Sequence, residues 1–146
     1  MLKWMIPALF LAGGATAAAA QAGAPKCPVS IDRMELSYSH QGAPSTPQLR
    51  MHFINHSAKR VAAVTFTLLL LDSAGYSHPY GDDLSFTAGL EAAADQTFSW
   101  ALAPDRIDIH RTGETVFVQK VEFDAGGAWV DDGSQACADT VDFHPR

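Results

Sequence analysis

From Gln48 to Asn55 the chain alternates cleanly, with apolar Leu49, Met51 and Phe53 on one side and polar Arg50 and His52 between them. A helix would scatter that pattern around its circumference. An extended chain puts every second side chain on one face, so the segment is predicted to be a half-buried strand. After the polar turn Asn55 to Arg60 comes Val61 to Leu71 (VAAVTFTLLLL). So long an apolar run could also be a buried helix. Thr65 and Thr67, the valines and the Asp72-Ser73-Ala74-Gly75 stop favour a central strand, with Val64, Phe66, Leu68 and Leu70 on one face.

The rest of the chain repeats this grammar. Val29 to Tyr38 alternates, but its apolar face changes partway, which a β-bulge near Arg33 accommodates. His40 to Pro47 is a turn-rich loop and Tyr76 to Asp83 another. Leu84 to Phe86 is predicted as a short edge strand, Ala88 to Ala94 as a turn or a single helical turn. Gln96 to Leu102 is a strand with Phe98 and Trp100 on one side. Pro104 to Gly113 reads as a connection with a short extended piece at Ile107 and Ile109. Thr115 to Phe123 and Ala128 to Asp131 flank the turn Asp124-Ala125-Gly126-Gly127 as a final hairpin. The tail Ala138 to Arg146 alternates weakly, at Val141 and Phe143. About seven short strands with turn chemistry between them predict an all-β fold, an antiparallel immunoglobulin-like or fibronectin-III-like sandwich. A small β-barrel is the alternative, since it shows the same pattern.

Residues 1–22 stand apart. Lys3, the apolar run Trp4 to Leu11 and the small-residue stretch Gly13 to Ala22 have the layout of a cleaved signal peptide, with cleavage expected after Ala20 or Ala22. Pro7 and Gly13-Gly14 interrupt an apolar stretch far shorter than the ~20 residues of a membrane span. Pro25-Lys26 before Cys27 does not suit a lipid-modified cysteine. The expectation is one domain, residues 23–146, periplasmic or secreted, with no membrane insertion after cleavage. The net charge of −6 becomes one unit more negative without Lys3, which argues against nucleic-acid partners. Cys27 and Cys137 lie near the two ends of that domain, and an isolated pair in an oxidising compartment reads as a disulfide.

The run Phe53-Ile54-Asn55-His56-Ser57-Ala58-Lys59-Arg60-Val61, continued by Phe66-Thr67-Leu68 and Asp72-Ser73-Ala74-Gly75, resembles an element of bacterial exported immunoglobulin-like domains of the FxLYD type. There a strand ending in Asn-x-Ser turns into a long strand finishing in Asp-x-x-Gly. This chain departs from the pattern after Leu68, where Tyr-Asp is missing and Asp72 falls three residues late. Lys120 to Phe123, Trp129 to Asp132 and Cys137 look similarly like the C-terminal hairpin of small exported bacterial proteins. These resemblances imply a fold and a compartment, and they carry over no functional residue.

Chemistry is sparse. The 6 histidines (His40, His52, His56, His78, His110 and His144) lack the spacing of a metal site, and the acidic pairs Asp82-Asp83 and Asp131-Asp132 lack an ordered calcium loop. No serine sits in a G-x-S-x-G elbow, so no catalytic residue, metal or cofactor is assigned. Asn55-His56-Ser57 is a glycosylation sequon only in a eukaryotic pathway. Phe66, Phe98, Trp100, Phe117, Phe123 and Trp129 are expected to fill the core, with Trp129 alternatively a ligand platform. The expected function is binding of a protein or envelope component through exposed strand edges and loops. The alternative is a small-ligand or metal-binding domain using Tyr76, His78, Tyr80, Asp82 and Asp83 with Asp131 and Asp132. A hydrolytic enzyme is the least favoured reading.

Overall fold

The computed structural model describes residues 27–38, 46–108 and 110–142. The expected signal peptide and its cleavage site, His40, Ile109, Phe143 and His144 lie outside the described residues. The chain folds into two antiparallel sheets. One holds β1 (Val29–Tyr38), β2 (Pro47–Asn55) and β6 (Asp95–Ala101) in the order β1-β2-β6. The other is built on the long central strands β3 (Val61–Leu71) and β7 (Gly113–Phe123). The outer side of β3 is covered by β4 (Ser77–Pro79) and β5 (Leu84–Phe86), and that of β7 by β8 (Ala128–Val130) and β9 (Ala138–Asp142). The result is an all-β sandwich.

Its core follows from the alternation. Leu49, Met51 and Phe53 of β2 and Val64, Phe66, Leu68 and Leu70 of β3 are buried, while their sequence neighbours face outward. Phe53 lies 5.2 Å from Phe66 and 5.1 Å from Phe86, and Phe66 lies 5.6 Å from Trp100, ring centre to ring centre. Each such ring contributes about 2–3 kcal/mol on burial. The predicted bulge is present. Ile31 pairs with Phe53 and Arg33 with His52, which leaves Asp32 as the extra residue. That insertion lets Val29 and Ile31 share the core face with Met34, Leu36 and Tyr38.

The disulfide Cys27–Cys137 joins a residue two positions before β1 to the residue just before β9, so it staples one sheet to the other. On that side β1 also packs against β7 and β9.

The structure corrects four expectations. There are nine strands among the described residues, the two additional ones being β4 and β9. Part of the Tyr76–Asp83 loop is therefore a strand, because Ser77 to Pro79 pair with Leu69 to Leu71. Residues Pro104–Arg106 form a 3₁₀ turn that leads to the buried Ile107, whose backbone is extended as expected. Phe98 remains 38% exposed, because β6 is an edge strand and the facing sheet does not fully cover it. Phe117 is buried but stands opposite Thr67 on the outer face of β7, apart from the main cluster.

The sequon is a structural staple. Asn55 is fully buried, and its amide donates to the carbonyls of Lys59, Leu90 and Glu91. Its Oδ1 accepts the Ser57 N–H and hydroxyl. An amide nitrogen committed to three carbonyls is not open to a glycosyl donor.

Candidate functional site

The loop residues singled out from the sequence are placed around the rim of the larger sheet. Tyr76 is 69% exposed. His78 contacts Asp72 through Nε2 at 2.8 Å, and this bond and the Tyr76 N–H hold the Asp72 carboxyl below its ordinary value. Tyr80, expected to be exposed, is only 7% so: its N–H pairs with Leu68, its ring turns inward, and its hydroxyl accepts the Ala103 N–H. Asp82 pairs with Arg106, and Asp83 accepts a hydrogen bond from Thr67. Asp131 and Asp132 accept backbone N–H groups of Gly133, Ser134 and Gln135 and so shape the turn after β8. With β4 flanking β3 and β8 flanking β7, the two acidic loops sit on opposite edges of the sheet and do not converge. Among the described residues, no three His, Cys, Asp or Glu side chains are grouped to hold a metal.

A denser polar arrangement lies on the outer face of the smaller sheet. His52 contacts Asp32 through Nδ1 at 3.0 Å and Asp95 through Nε2 at 2.7 Å. When the ring is protonated, both nitrogens donate, one to each carboxylate. Its pKa is raised by the hydrogen bonds to Asp95 and then Asp32, and the Asp95 carboxyl is correspondingly lowered. In that protonated state the ring has no lone pair for proton abstraction or metal binding. It ties three strands together: β2 carries the histidine, the β1 bulge aims Asp32 at it, and β6 begins with Asp95. The outward position of His52 and the bulge are visible in the sequence, but the adjacency of β6 to β2 is not.

A buried ionic group lies at one end of the core. Glu114 is 1% exposed, and Arg111 reaches its Oε2 at 3.4 Å while also donating to the Tyr38 hydroxyl at 3.1 Å. Oε1 has no partner among the described residues. Burial outweighs the attraction of Arg111 and pushes the carboxyl up to about 7. Arg111 is the charged partner that holds this carboxyl in the core, at the cost of its desolvation.

The remaining feature is an edge. Leu102 N–H donates to Pro47 O, and Asn55 N–H donates to Ala94 O. Even-numbered residues of β6 thus bond to β2, and the N–H and C=O groups of Asp95, Thr97, Ser99 and Ala101 point away from the sheet. Among the described residues the Thr97 carbonyl has a local side-chain partner there, the Gln96 amide at 2.9 Å, and the Asp95 carboxylate draws on its own N–H. Beside this edge the exposed Phe98 ring lies 4.7 Å from Trp100 and 5.4 Å from Phe86, and the Trp100 indole N–H is fixed on the Ser85 carbonyl. The aromatic groups are thus held rigidly next to unpaired backbone.

These features define an antiparallel two-sheet β-sandwich. No family model matches the chain, and no curated protein is significantly similar to it. Among solved structures it is similar to the structural-genomics target SoR45, at 8% identity and a TM-score of 0.50, over 80% of this chain and 88% of that one. A hypothetical protein from Peptoclostridium difficile 630 shares 12% identity at a TM-score of 0.50, over 72% of this chain and 87% of that one. At such identities the likeness is one of fold.

Proposed function

We propose that this chain is an exported binding module that captures an extended segment of a protein or envelope component along β6. The supporting observation is that β6 is a regular edge strand of 7 residues with no bulge, proline or lysine. Those are the devices by which β proteins discourage edge pairing, and the other edges have them or are short. β1 carries a bulge and packs against β7 and β9, while β4, β5 and β8 have 3 residues each. An added strand would gain main-chain hydrogen bonds at Asp95, Thr97, Ser99 and Ala101, with selectivity from Phe98 on one face and Thr97 and Ser99 on the other.

The compartment in this reading rests on the signal-like residues 1–22 and on a disulfide, which persists in oxidising spaces. The resemblance to exported immunoglobulin-like domains points the same way.

Ser99→Pro tests the proposal, because it removes an outward N–H and leaves every bond to β2 in place. The mature protein and this variant, immobilised in parallel, are exposed to extract of the native envelope. A protein retained by the wild type and lost from an equally stable Ser99→Pro variant supports strand addition. Identical recovery by both, or no recovery by the wild type, refutes it.

A further inference from the structure

Away from β6, the turn between β2 and β3, the residue preceding β1 and the last hairpin enclose a cleft of about 380 Å³ whose lining includes Pro28, His56, Lys59, Phe123, Ala128 and Trp129. That volume is within the usual range of small-molecule sites. Its walls are set by independent constraints. Asn55 locks the Ser57–Lys59 turn through the Lys59 carbonyl, Pro28 follows the disulfide, and Trp129 is paired with Val121.

The polar groups in this cleft have one character. Among the described residues no carboxylate lines it, although the chain is acidic. The nearest carboxylates in sequence are already neutralised, Glu122 by Lys120 at 2.8 Å and Asp124 by Arg60 at 3.1 Å. Lys59 has no carboxylate partner among the described residues, and its ammonium lies 5.4 Å from the centre of the Phe123 ring. The half-buried Trp129 indole N–H likewise meets no acceptor among the described residues. His56 keeps its imidazole at the rim through a 2.6 Å contact between Nε2 and the Ser30 hydroxyl. The cleft thus combines an aromatic floor with an unpaired cation and an unpaired N–H donor.

We infer that this cleft binds a small apolar monocarboxylate, with its hydrocarbon or aromatic body against Trp129 and Phe123 and its carboxylate at the Lys59 ammonium. The apolar walls supply the burial. Charge complementarity selects the acid over an alcohol or an amine of the same shape.

Mature oxidised protein contains two tryptophans, Trp100 and Trp129, hence two indole N–H signals in a nitrogen–proton correlation spectrum. Trp129→Phe identifies the signal of Trp129. Titration with 3-phenylpropionate is expected to shift that signal saturably, with a dissociation constant on the order of 1 mM for so small a ligand. 3-Phenylpropan-1-ol should bind roughly 5–10-fold more weakly, in line with the net value of one solvent-accessible hydrogen bond, and 3-phenylpropylamine more weakly still. Lys59→Met, an exposed substitution that keeps the apolar stem, should reduce the acid to the affinity of the alcohol. The inference is overturned if the amine matches the acid, if Lys59→Met binds the acid unchanged, or if no saturable shift appears by about 20 mM.

Discussion

Asn55 concentrates five hydrogen bonds in one fully buried side chain. Asn55→Ala leaves the carbonyls of Lys59 and Glu91 without their donor and is expected to cost about 3 kcal/mol in chemical denaturation. Asn55→Asp should be little better, since a carboxylate cannot donate to three carbonyls. The titratable groups make a second prediction. Glu114 has its carboxyl raised from 4.5 to about 7 in the folded protein. The folded state therefore holds the extra proton between those values, and stability falls as pH rises through that window. His52 is raised above 6.5, so its contribution is full below 6.5 and is lost as pH climbs through its folded value. Asp72 and Asp95 are lowered from 3.8, and their contribution disappears only in more acidic solution. The melting temperature should thus peak on the acidic side of neutrality. Glu114→Gln should flatten the slope between pH 4.5 and about 7, and His52→Gln the slope above pH 6.5. A melting curve that rises steadily from pH 5 to 8 in the wild type would contradict both assignments.

The strand elements were legible where alternation is long. Val61 to Leu71 and Leu84 to Phe86 are strands with the predicted bounds, and the switch of apolar face in Val29 to Tyr38 correctly marked a bulge. β4 was hidden because Ser77-His78-Pro79 has turn composition and becomes a strand only through pairing with β3. β9 was hidden because Val141 is its one large apolar residue and its support comes from β7. For the same reason the sites were less legible than the fold. The Asp32–His52–Asp95 cluster, the β6 edge and the Trp129 cleft all depend on which strands are neighbours, and alternation carries no such information. The bulge itself can be tested. Deleting Asp32 returns β1 to strict alternation, so either Val29 and Ile31 or Met34, Leu36 and Tyr38 must leave the core. A loss of at least about 3 kcal/mol is expected, comparable with removing a large buried side chain. A deletion variant as stable as wild type would show that the face switch is not required.

The molecule as a whole is closed on one side and open on the other. Where β1 approaches β7 and β9, the Cys27–Cys137 bond holds the two sheets together across 110 residues of sequence. In the chain-entropy model a closed loop of that length stabilises the fold by ~4–5 kcal/mol. Replacing both cysteines by Ala should lower the melting temperature by roughly 10–20 °C, and an unchanged melting curve would show that the staple is irrelevant. On the opposite side β6 has strand neighbours only in β2 among the described residues, and this asymmetry leads to the proposed binding mode. Amide hydrogen exchange along β6 tests that mode most directly, in the free protein and with the captured partner bound. Gln96, Phe98 and Trp100 should exchange slowly in both states, while Asp95, Thr97, Ser99 and Ala101 should exchange rapidly alone and become protected when the partner is added. Unchanged rapid exchange at those four amides in the complex would contradict strand addition at this edge.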